Sequence, residues 1–413
     1  MECYLDNSAT TKVCDEAAEA ALKVMKEIYG NPSSLHKMGF EAETALRMAG
    51  DIFAGMLGCS RDELIFTSGG SESDNLAIIG TAMANKRRGR HLITTRIEHP
   101  AVLQAFRYLE EQGFETTYLG TDGEGIISLE ELSGSVRDDT ILVSMMHVNN
   151  EIGSVQPIAE AGRIIKEKNP DCLFHVDDIQ GFLKLKLIPS VAKIDLLSVS
   201  GHKLHAPKGV GLLYAGKGVR LNPLILGGGQ QCGLRSGTEN VPGIAAFGAA
   251  AAFLNKGMDK HVRRMYELRE YFISQIKDME DIRVNGPGSL GYYGYDRVGM
   301  AAVKSDGSRA DMQDERQNER FAPQIISLSV KDVRAEVLLH ALEDKGIYVS
   351  AGSACSSHKR TPSATLTAVG LDKDLLEATV RLSLSVFTTR EEMEYAATAL
   401  HELVPALRRF VRR

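Results

Sequence analysis

The chain has 413 residues and a mass of 45.0 kDa, which is enough for a large core and typically for two domains. Its formal net charge of -6 argues against nucleic acid as the main ligand, since such sites carry a basic excess. No apolar run approaches the roughly 20 residues needed to cross a bilayer, and the first residues do not form a signal peptide, so we expect a cytoplasmic protein without membrane contact.

Helical periodicity covers residues 15–28 and 41–57. From about residue 63, short apolar runs alternate with helical stretches. The predicted strands are 63–67, 91–95, 115–119, 140–146, 172–177, 194–199 and 210–214, and the predicted helices are 72–87, 100–112, 128–134 and 157–168. This alternation is typical of an α/β protein with a mostly parallel sheet, helices on both faces and a site at the strand ends.

The last third of the chain has a different organisation. Residues 240–278 are predicted to be largely helical, and a smaller α+β unit follows. Its predicted strands are 325–330, 347–350 and 379–386, and its predicted helices are 333–345 and 390–408. The polar stretch 286–322 cannot bury enough apolar surface to order itself, which predicts a long inserted surface loop. We therefore predict a large α/β domain over 15–260 and a small α+β domain formed by 1–14 and 261–413.

Six cysteines lie along the chain without CxxC pairs or the spacing of metal ligands. This distribution favours neither a disulfide framework nor a zinc site, and we predict no metal. Cys355 differs from the others because its neighbours are Gly, Ser and Ala, which offer little apolar cover. An accessible thiol in a mobile loop is suited to nucleophilic chemistry.

A lysine follows the apolar run Ile194 to Val199, in the turn Ser200-Gly201-His202-Lys203. A lysine at the mouth of a parallel sheet, beside hydroxyls that can bind phosphate, suits a covalent link to pyridoxal 5′-phosphate (PLP). Taken alone, such a segment is more often a surface lysine after a strand.

Strand 63–67 leads into Ser68-Gly69-Gly70-Ser71 and then a helix. Glycines such as Gly70 let the backbone approach a ligand, the helix N-terminus offers free N–H groups, and Ser71 adds a hydroxyl. This pattern can bind a phosphate, although a plain capped turn is the alternative.

Other strand ends also carry polar side chains. His99 can stack on an aromatic ring and move protons, whereas Asn150 offers an amide to a ligand. One of Asp177 and Asp178 can keep a pyridine nitrogen protonated, since neighbouring strand residues face opposite ways. Gln180 can reach the ring hydroxyl. A structural hydrogen bond, a turn or a helix cap is the alternative in each case.

Two later segments offer positive charge. The glycine-rich stretch 226–240 carries Arg235 and Thr238 and is either an anion-binding loop or a flexible linker. Arg381 interrupts an apolar strand, so its guanidinium needs a partner. A substrate carboxylate and a buried salt bridge fit this requirement equally well.

Taken together and in order, these segments closely resemble the cysteine desulfurases of the NifS/IscS type, in the class V aminotransferase group of fold-type I PLP enzymes. The matching strings are residues 4–11, 31–34, 67–75, 98–100, 149–153, 175–177, 200–203, 235–240 and 353–355, and Arg381. The resemblance spans almost the whole chain.

The resemblance implies a role for each residue around the cofactor. Lys203 would carry PLP and later move the Cα proton. Asp177 would pair with the pyridinium nitrogen, Gln180 would meet the ring oxygen, and His99 would stack on the ring and act in acid–base steps. The phosphate would be held by Gly70, Ser71, Ser200 and His202, with Thr238 reaching over from the second subunit of a homodimer.

The resemblance also implies the substrate and the products. Asn150 and Arg381 would position the carboxylate of L-cysteine, and the Cys355 thiolate would take its sulfur. The products would be L-alanine and a persulfide that passes to a sulfur-acceptor or scaffold protein, for iron–sulfur cluster assembly or tRNA thiolation. A related lyase, such as a selenocysteine lyase, and a non-catalytic docking paralogue are the alternatives.

The chain departs from the family's pattern at four places. Gln230-Gln231-Cys232 stands where the family usually has Gln-Glu-Arg, Asp178 replaces a usual alanine, and Ser71 replaces a usual threonine. The stretch 286–322 is longer than is normal for the family. None of these differences removes a catalytic group.

Overall fold

The computed structural model describes residues 1–287, 321–351 and 363–411. Cys355 and most of the predicted inserted loop 286–322 lie outside the described residues. The strands are β1 (Cys3–Tyr4), β2 (Leu64–Thr67), β3 (His91–Thr95), β4 (Glu115–Leu119), β5 (Thr140–Met146), β6 (Leu173–Asp177), β7 (Leu196–Ser200), β8 (Gly211–Ala215), β9 (Ile282–Asn285), β10 (Ile325–Val330), β11 (Ile347–Tyr348), β12 (Ser350–Ala351) and β13 (Thr379–Ser383).

The helices follow the predicted periodicity closely. They are α1 (Asp15–Glu27), α2 (Lys37–Leu57), α3 (Gly70–Asn75), α4 (Thr81–Asn85), α5 (Pro100–Glu111), α6 (Leu129–Ser135), α7 (Ile158–Lys168), α8 (Pro189–Ala192), α9 (Val241–Lys256), α10 (Met258–Ile276), α11 (Ala335–Glu343), α12 (Ala364–Ala368), α13 (Lys373–Leu376) and α14 (Arg390–Val411). The predicted helix 72–87 is divided, because a π-helical turn over Leu76–Gly80 separates α3 from α4.

Seven strands form the large sheet in the order β2-β8-β7-β6-β5-β3-β4. The strands from β3 to β7 are mutually parallel, whereas β8 is antiparallel to both β7 and β2. Apolar side chains lie on both faces: Phe53, Phe174 and Phe247 on one, Phe106 and Leu142 on the other. The predicted α/β architecture is therefore confirmed, and β8 is the exception to its parallel order.

A second, four-stranded antiparallel sheet has the order β12-β13-β10-β9, and β1 pairs with β11 beside it. Its core contains Leu328, Val380 and Leu400, together with Cys3 and Leu5 from the start of the chain. This core is separate from the one beneath the large sheet. The two cores support the proposed division into a domain over 15–260 and one formed by 1–14 and 261–413.

No helix in the described ranges is both long enough and apolar enough to cross a membrane.

Candidate active site

Lys203 ends the 3₁₀ turn Gly201–Lys203, which begins where β7 stops at the carboxyl edge of the large sheet. Its ammonium donates hydrogen bonds to the backbone carbonyls of Ser8 and, at 2.7 Å, Ala9. The N-terminal segment therefore lies directly over the strand-end lysine. Neither Ser8 nor Ala9 was assigned a role from the sequence, although both belong to a string that matches the family.

Asp177 ends β6, the strand next to β7, and is paired in register with Ser198. Its side chain is 5% exposed and accepts a hydrogen bond from the Ile179 N–H at 3.0 Å. Burial raises the pKa of this carboxyl, as does Asp178, whereas Lys203 opposes the rise. Asp178 instead bonds the His147 ring at 2.6 Å, so the two aspartates face different neighbours, as strand geometry requires.

Gln180 follows three residues after Asp177 and is buried. Its side-chain amide donates to the carbonyl of Ser8 at 3.0 Å. That carbonyl also accepts from Lys203. One backbone oxygen of the N-terminal segment therefore joins Gln180 to the lysine.

Two imidazoles lie within the electrostatic reach of Lys203. His99 caps α5, with its Nδ1 accepting from the Ala101 N–H at 3.1 Å, so the neutral ring carries its proton on Nε2. Burial, assisted by the charge of Lys203, lowers the pKa of His99 to about 4. Burial and Lys203 also lower the pKa of His202 to about 4, and His202 is 3.3 Å from the Thr10 hydroxyl. Both rings are neutral at physiological pH.

A small-residue cradle lies where β2 passes into α3. A Cβ on Gly70 would come within 2.2 Å of Ile179 Cδ1, so only glycine fits without movement. The Ser200 Cβ lies 3.4 Å from the same position. The Ser200 hydroxyl is buried and has no hydrogen-bond partner among the described residues. Ser71 is exposed at the start of the helix. An oxyanion with several acceptor oxygens would satisfy the Ser200 hydroxyl.

Arg381 on β13 is 4% exposed and forms a salt bridge with Asp6 at 3.1 Å. It also donates to the Asn150 carbonyl at 2.8 Å and to the Ser350 hydroxyl at 3.2 Å. Its Nε is buried without a hydrogen-bond partner in the described part of the chain. The structure thus contains the salt bridge that was the alternative to substrate binding, and the Nε–H has no acceptor among the described residues.

Two predicted site residues do not join this cluster in the described chain. Thr238 is exposed on the loop that precedes α9. Cys355 lies outside the described residues, so its predicted position near the site stays a prediction.

His205, two residues beyond Lys203, is expected to make the stability of the fold depend on pH. Burial lowers the pKa of this ring to about 4, while a hydrogen bond to the Lys12 carbonyl opposes the shift. Because the folded pKa is below the unfolded value, folding loses stability as the pH falls from about 6.5 to about 4. His205→Asn tolerates the positive φ of 58° and removes this loss.

As the pH falls through that window, the free energy of unfolding of His205→Asn should rise relative to that of the parent by about 1 kcal/mol per pH unit. Urea unfolding at several pH values measures this difference. Replacement of the exposed His340 by asparagine is the control and should show no such trend. Parallel stability curves for the parent and His205→Asn would contradict the assignment.

The comparisons with known proteins cover nearly the whole chain. The aminotransferase class-V family matches residues 3–291 and 308–395. The cysteine desulfurase IscS of Dictyoglomus turgidum is 40% identical over 408 residues, which cover 98% of this chain and 95% of that protein. A solved NifS-like protein has a TM-score of 0.86 at 35% identity, covering 98% of this chain and all of its own.

A second solved structure, of SspA in complex with cysteine, has a TM-score of 0.75 at 32% identity and covers 94% of this chain and 100% of its own. The chain belongs to the class V aminotransferase family and, within it, to the cysteine desulfurases of the NifS/IscS type.

Proposed function

We propose that the chain removes sulfur from L-cysteine with PLP as cofactor, giving L-alanine and a persulfide on Cys355. The observation that carries this proposal is the set of buried groups around one strand-end lysine. The charge of Lys203 acts on Asp177, His99 and His202, which come from three different segments. Relatives that are named cysteine desulfurases, and one relative with bound cysteine, support the substrate.

The residues present fit PLP. The buried Ser200 hydroxyl, which has no hydrogen-bond partner in the described ranges, and the cradle at Gly70 suit its phosphate, with Ser71 and His202 as further donors. Lys203 would hold the aldehyde carbon covalently, and Asp177 would hold the pyridine nitrogen. When bound, PLP supplies an electron sink for the pair released at Cα of an amino acid.

The chain's own residues would then bind and orient the substrate. The Arg381 guanidinium and the Asn150 amide would receive the substrate carboxylate, since the buried Arg381 Nε–H has no acceptor in the part of the chain that the structure describes. The Lys203 amine would carry a proton to and from Cα. His99, neutral because of its lowered pKa, would stack over the ring and hold a proton on Nε2.

The sulfur atom would move from L-cysteine to the Cys355 thiolate. The substrate C–S bond breaks, an S–S bond forms on Cys355, and the carbon that lost sulfur gains a proton, so L-alanine and one persulfide balance L-cysteine and one thiol. A sulfur-acceptor protein would then take the outer sulfur. We also propose a homodimer, in which the exposed Thr238 would complete the phosphate site of the second subunit, and a cytoplasmic location.

The test measures alanine formation by the PLP-loaded protein with L-cysteine and, separately, L-selenocysteine. We expect turnover of L-cysteine, and borohydride treatment should bleach the visible absorbance and mark the peptide that contains Lys203. Activity confined to L-selenocysteine would favour a selenocysteine lyase. Absence of PLP binding and of any turnover would favour a docking paralogue and overturn the proposal.

The Ser200 hydroxyl provides a sharper prediction about the phosphate. Ser200→Ala should raise the dissociation constant of PLP about tenfold, since a hydrogen bond to a charged group contributes roughly 1.5–3 kcal/mol. Titration of the apoenzyme with PLP, followed by absorbance, measures this constant. Ser198→Ala is the matched control, because that hydroxyl on the same strand already bonds the His175 ring at 2.9 Å. Equal affinities for the parent and Ser200→Ala would contradict the assignment.

A further inference from the structure

A second group of ionisable side chains, two buried and one half-buried, lies beside the Lys203 turn, outside the set that would touch PLP or substrate. The Lys184 ammonium donates to the backbone carbonyl of Lys203 at 3.3 Å. Asp178 bonds the His147 Nδ1 at 2.6 Å, and both side chains are buried. Lys184 and Asp178 act electrostatically on each other. Asp178 is also the carboxylate that departs from the family's usual alanine.

The chain makes room for this group at Gly181. A Cβ there would lie 2.2 Å from Asp178 Oδ1 and 2.4 Å from His147 Nδ1, so a larger residue would displace the pair. The Gly181 N–H donates to the Asp178 carbonyl at 3.2 Å, and the Lys184 N–H donates to the Gly181 carbonyl at 2.9 Å. One tight turn therefore holds the aspartate and the lysine in place.

Lys184 and Lys203 line the same internal cavity. It has about 20 Å³ of room for the centres of water molecules, which corresponds to one or two waters. His205 is the one other titratable residue of the described lining, and burial keeps this ring neutral. The Lys203 ammonium also bonds the Ser8 and Ala9 carbonyls and interacts with Asp177, and these contacts favour its charged form. The rings of His99 and His202 near it are neutral, so the positive charge of Lys184 is the group that acts in the opposite direction.

Burial shifts the pKa values of both Lys184 and Asp178. It lowers the pKa of Lys184 to about 8, and the charge of Asp178 opposes this shift. It raises the pKa of Asp178, while His147 and then Lys184 oppose that rise. Asp178 bonds His147 directly, and its charge also acts on Lys184 from the same turn, where it favours the charged form of the lysine.

We propose that Lys184, with Asp178 as its counter-ion, is a positioning residue that holds the Lys203 turn and favours the neutral form of the Lys203 amine. A nearby positive charge makes it harder for Lys203 to keep its own proton. The neutral amine is the form that can attack an aldehyde or accept a proton. This inference rests on the proposed role of Lys203 and extends it to two residues that touch neither cofactor nor substrate.

The test measures the reactivity of Lys203 in the apoenzyme, because only a neutral amine is acylated. Trace labelling with acetic anhydride at a series of pH values, with peptide mapping by mass spectrometry, gives the labelling rate relative to the exposed Lys217. Lys184→Gln keeps an N–H donor for the Lys203 carbonyl but removes the charge. We expect the rate at pH 7 to fall about tenfold, as for an upward pKa shift of roughly one unit.

Lys166→Met is the matched control. Lys166 also donates to a backbone carbonyl, that of Cys172 at 2.6 Å, and it pairs with Asp195 at 2.7 Å. These partners directly precede β6 and β7, so Lys166 is at the opposite end of these strands from Lys203. Its replacement should leave the labelling of Lys203 unchanged. An unchanged profile in Lys184→Gln would overturn the proposal, since a purely structural lysine would not move the protonation of Lys203.

The role of Asp178 is tested by unfolding in urea. Asp178→Asn should lose stability because it removes the negative charge that favours the charged form of Lys184, and adding Lys184→Met should restore most of the loss. Additive losses in the double variant would show that Asp178 is not the counter-ion and would overturn that part of the proposal. Because the labelling needs no PLP, it is separate from the borohydride experiment, whose failure would instead reject the role of Lys203 in binding the cofactor.

Discussion

Lys203→Ala should reduce the formation of alanine from L-cysteine by about 10²–10⁴-fold, the usual loss when a positioned proton carrier is removed. Hydrogen bonds to two carbonyls fix this side chain at the strand edge, and alanine has no group that can make them or carry the proton. Borohydride should also cease to attach PLP to the protein. Steady-state assays and intact-mass spectrometry after borohydride treatment measure the two effects.

Lys217→Ala is the control for this experiment, because Lys217 is exposed on the turn after β8. It should retain the parent's activity and its borohydride product. If Lys203→Ala turned over L-cysteine at the parent rate, the lysine would not be the proton carrier, and the proposed function would lose its central group.

Cys355→Ser should bind PLP and L-cysteine as the parent does but release no sulfide when a reductant is added. A serine hydroxyl cannot accept sulfur, so the persulfide cannot form. Trapping with an alkylating agent, followed by peptide mass spectrometry, should find one extra sulfur atom on the peptide with Cys355 in the parent and none in the variant.

Cys232→Ser is the matched control, because Cys232 is an exposed free thiol in the described part of the chain. The resemblance assigns it no role, and we expect normal sulfide release. Sulfide release at the parent rate by Cys355→Ser would show that another group carries the sulfur. Loss of release in Cys232→Ser alone would identify the thiol of the departing Gln-Gln-Cys segment as that group.

Local pattern was sufficient to predict most of the elements. The apolar runs that became β5, β6 and β7 are short, bounded by turn residues and separated by helical periodicity, so a parallel sheet was the expected result. A polar residue directly after such a run is therefore predicted to lie at the carboxyl edge of the sheet. This is why Asp177 and Lys203 could be predicted to lie near each other.

Pairings across long sequence separations could not be predicted in the same way. Lys203 meets Ser8 from 195 residues away, and Arg381 meets Asp6 from 375 residues away. The contact of Lys184 with the Lys203 carbonyl, and of Asp178 with His147, follows from how the turn after β6 folds. Side-chain spacing along one segment contains no information about which distant segment will cover it.

The sequence by itself determined the fold class, the strand-end residues and, through a resemblance along almost the whole chain, the family. Only the tertiary structure decided that β8 runs against its neighbours, because an apolar run has the same pattern in either direction. It also decided which carbonyls hold Lys203 and that Asp178 bonds the His147 ring. These features arise only when segments that are distant in the sequence pack into one core. Burial in that core determines which partners each group has and which protonation state it favours.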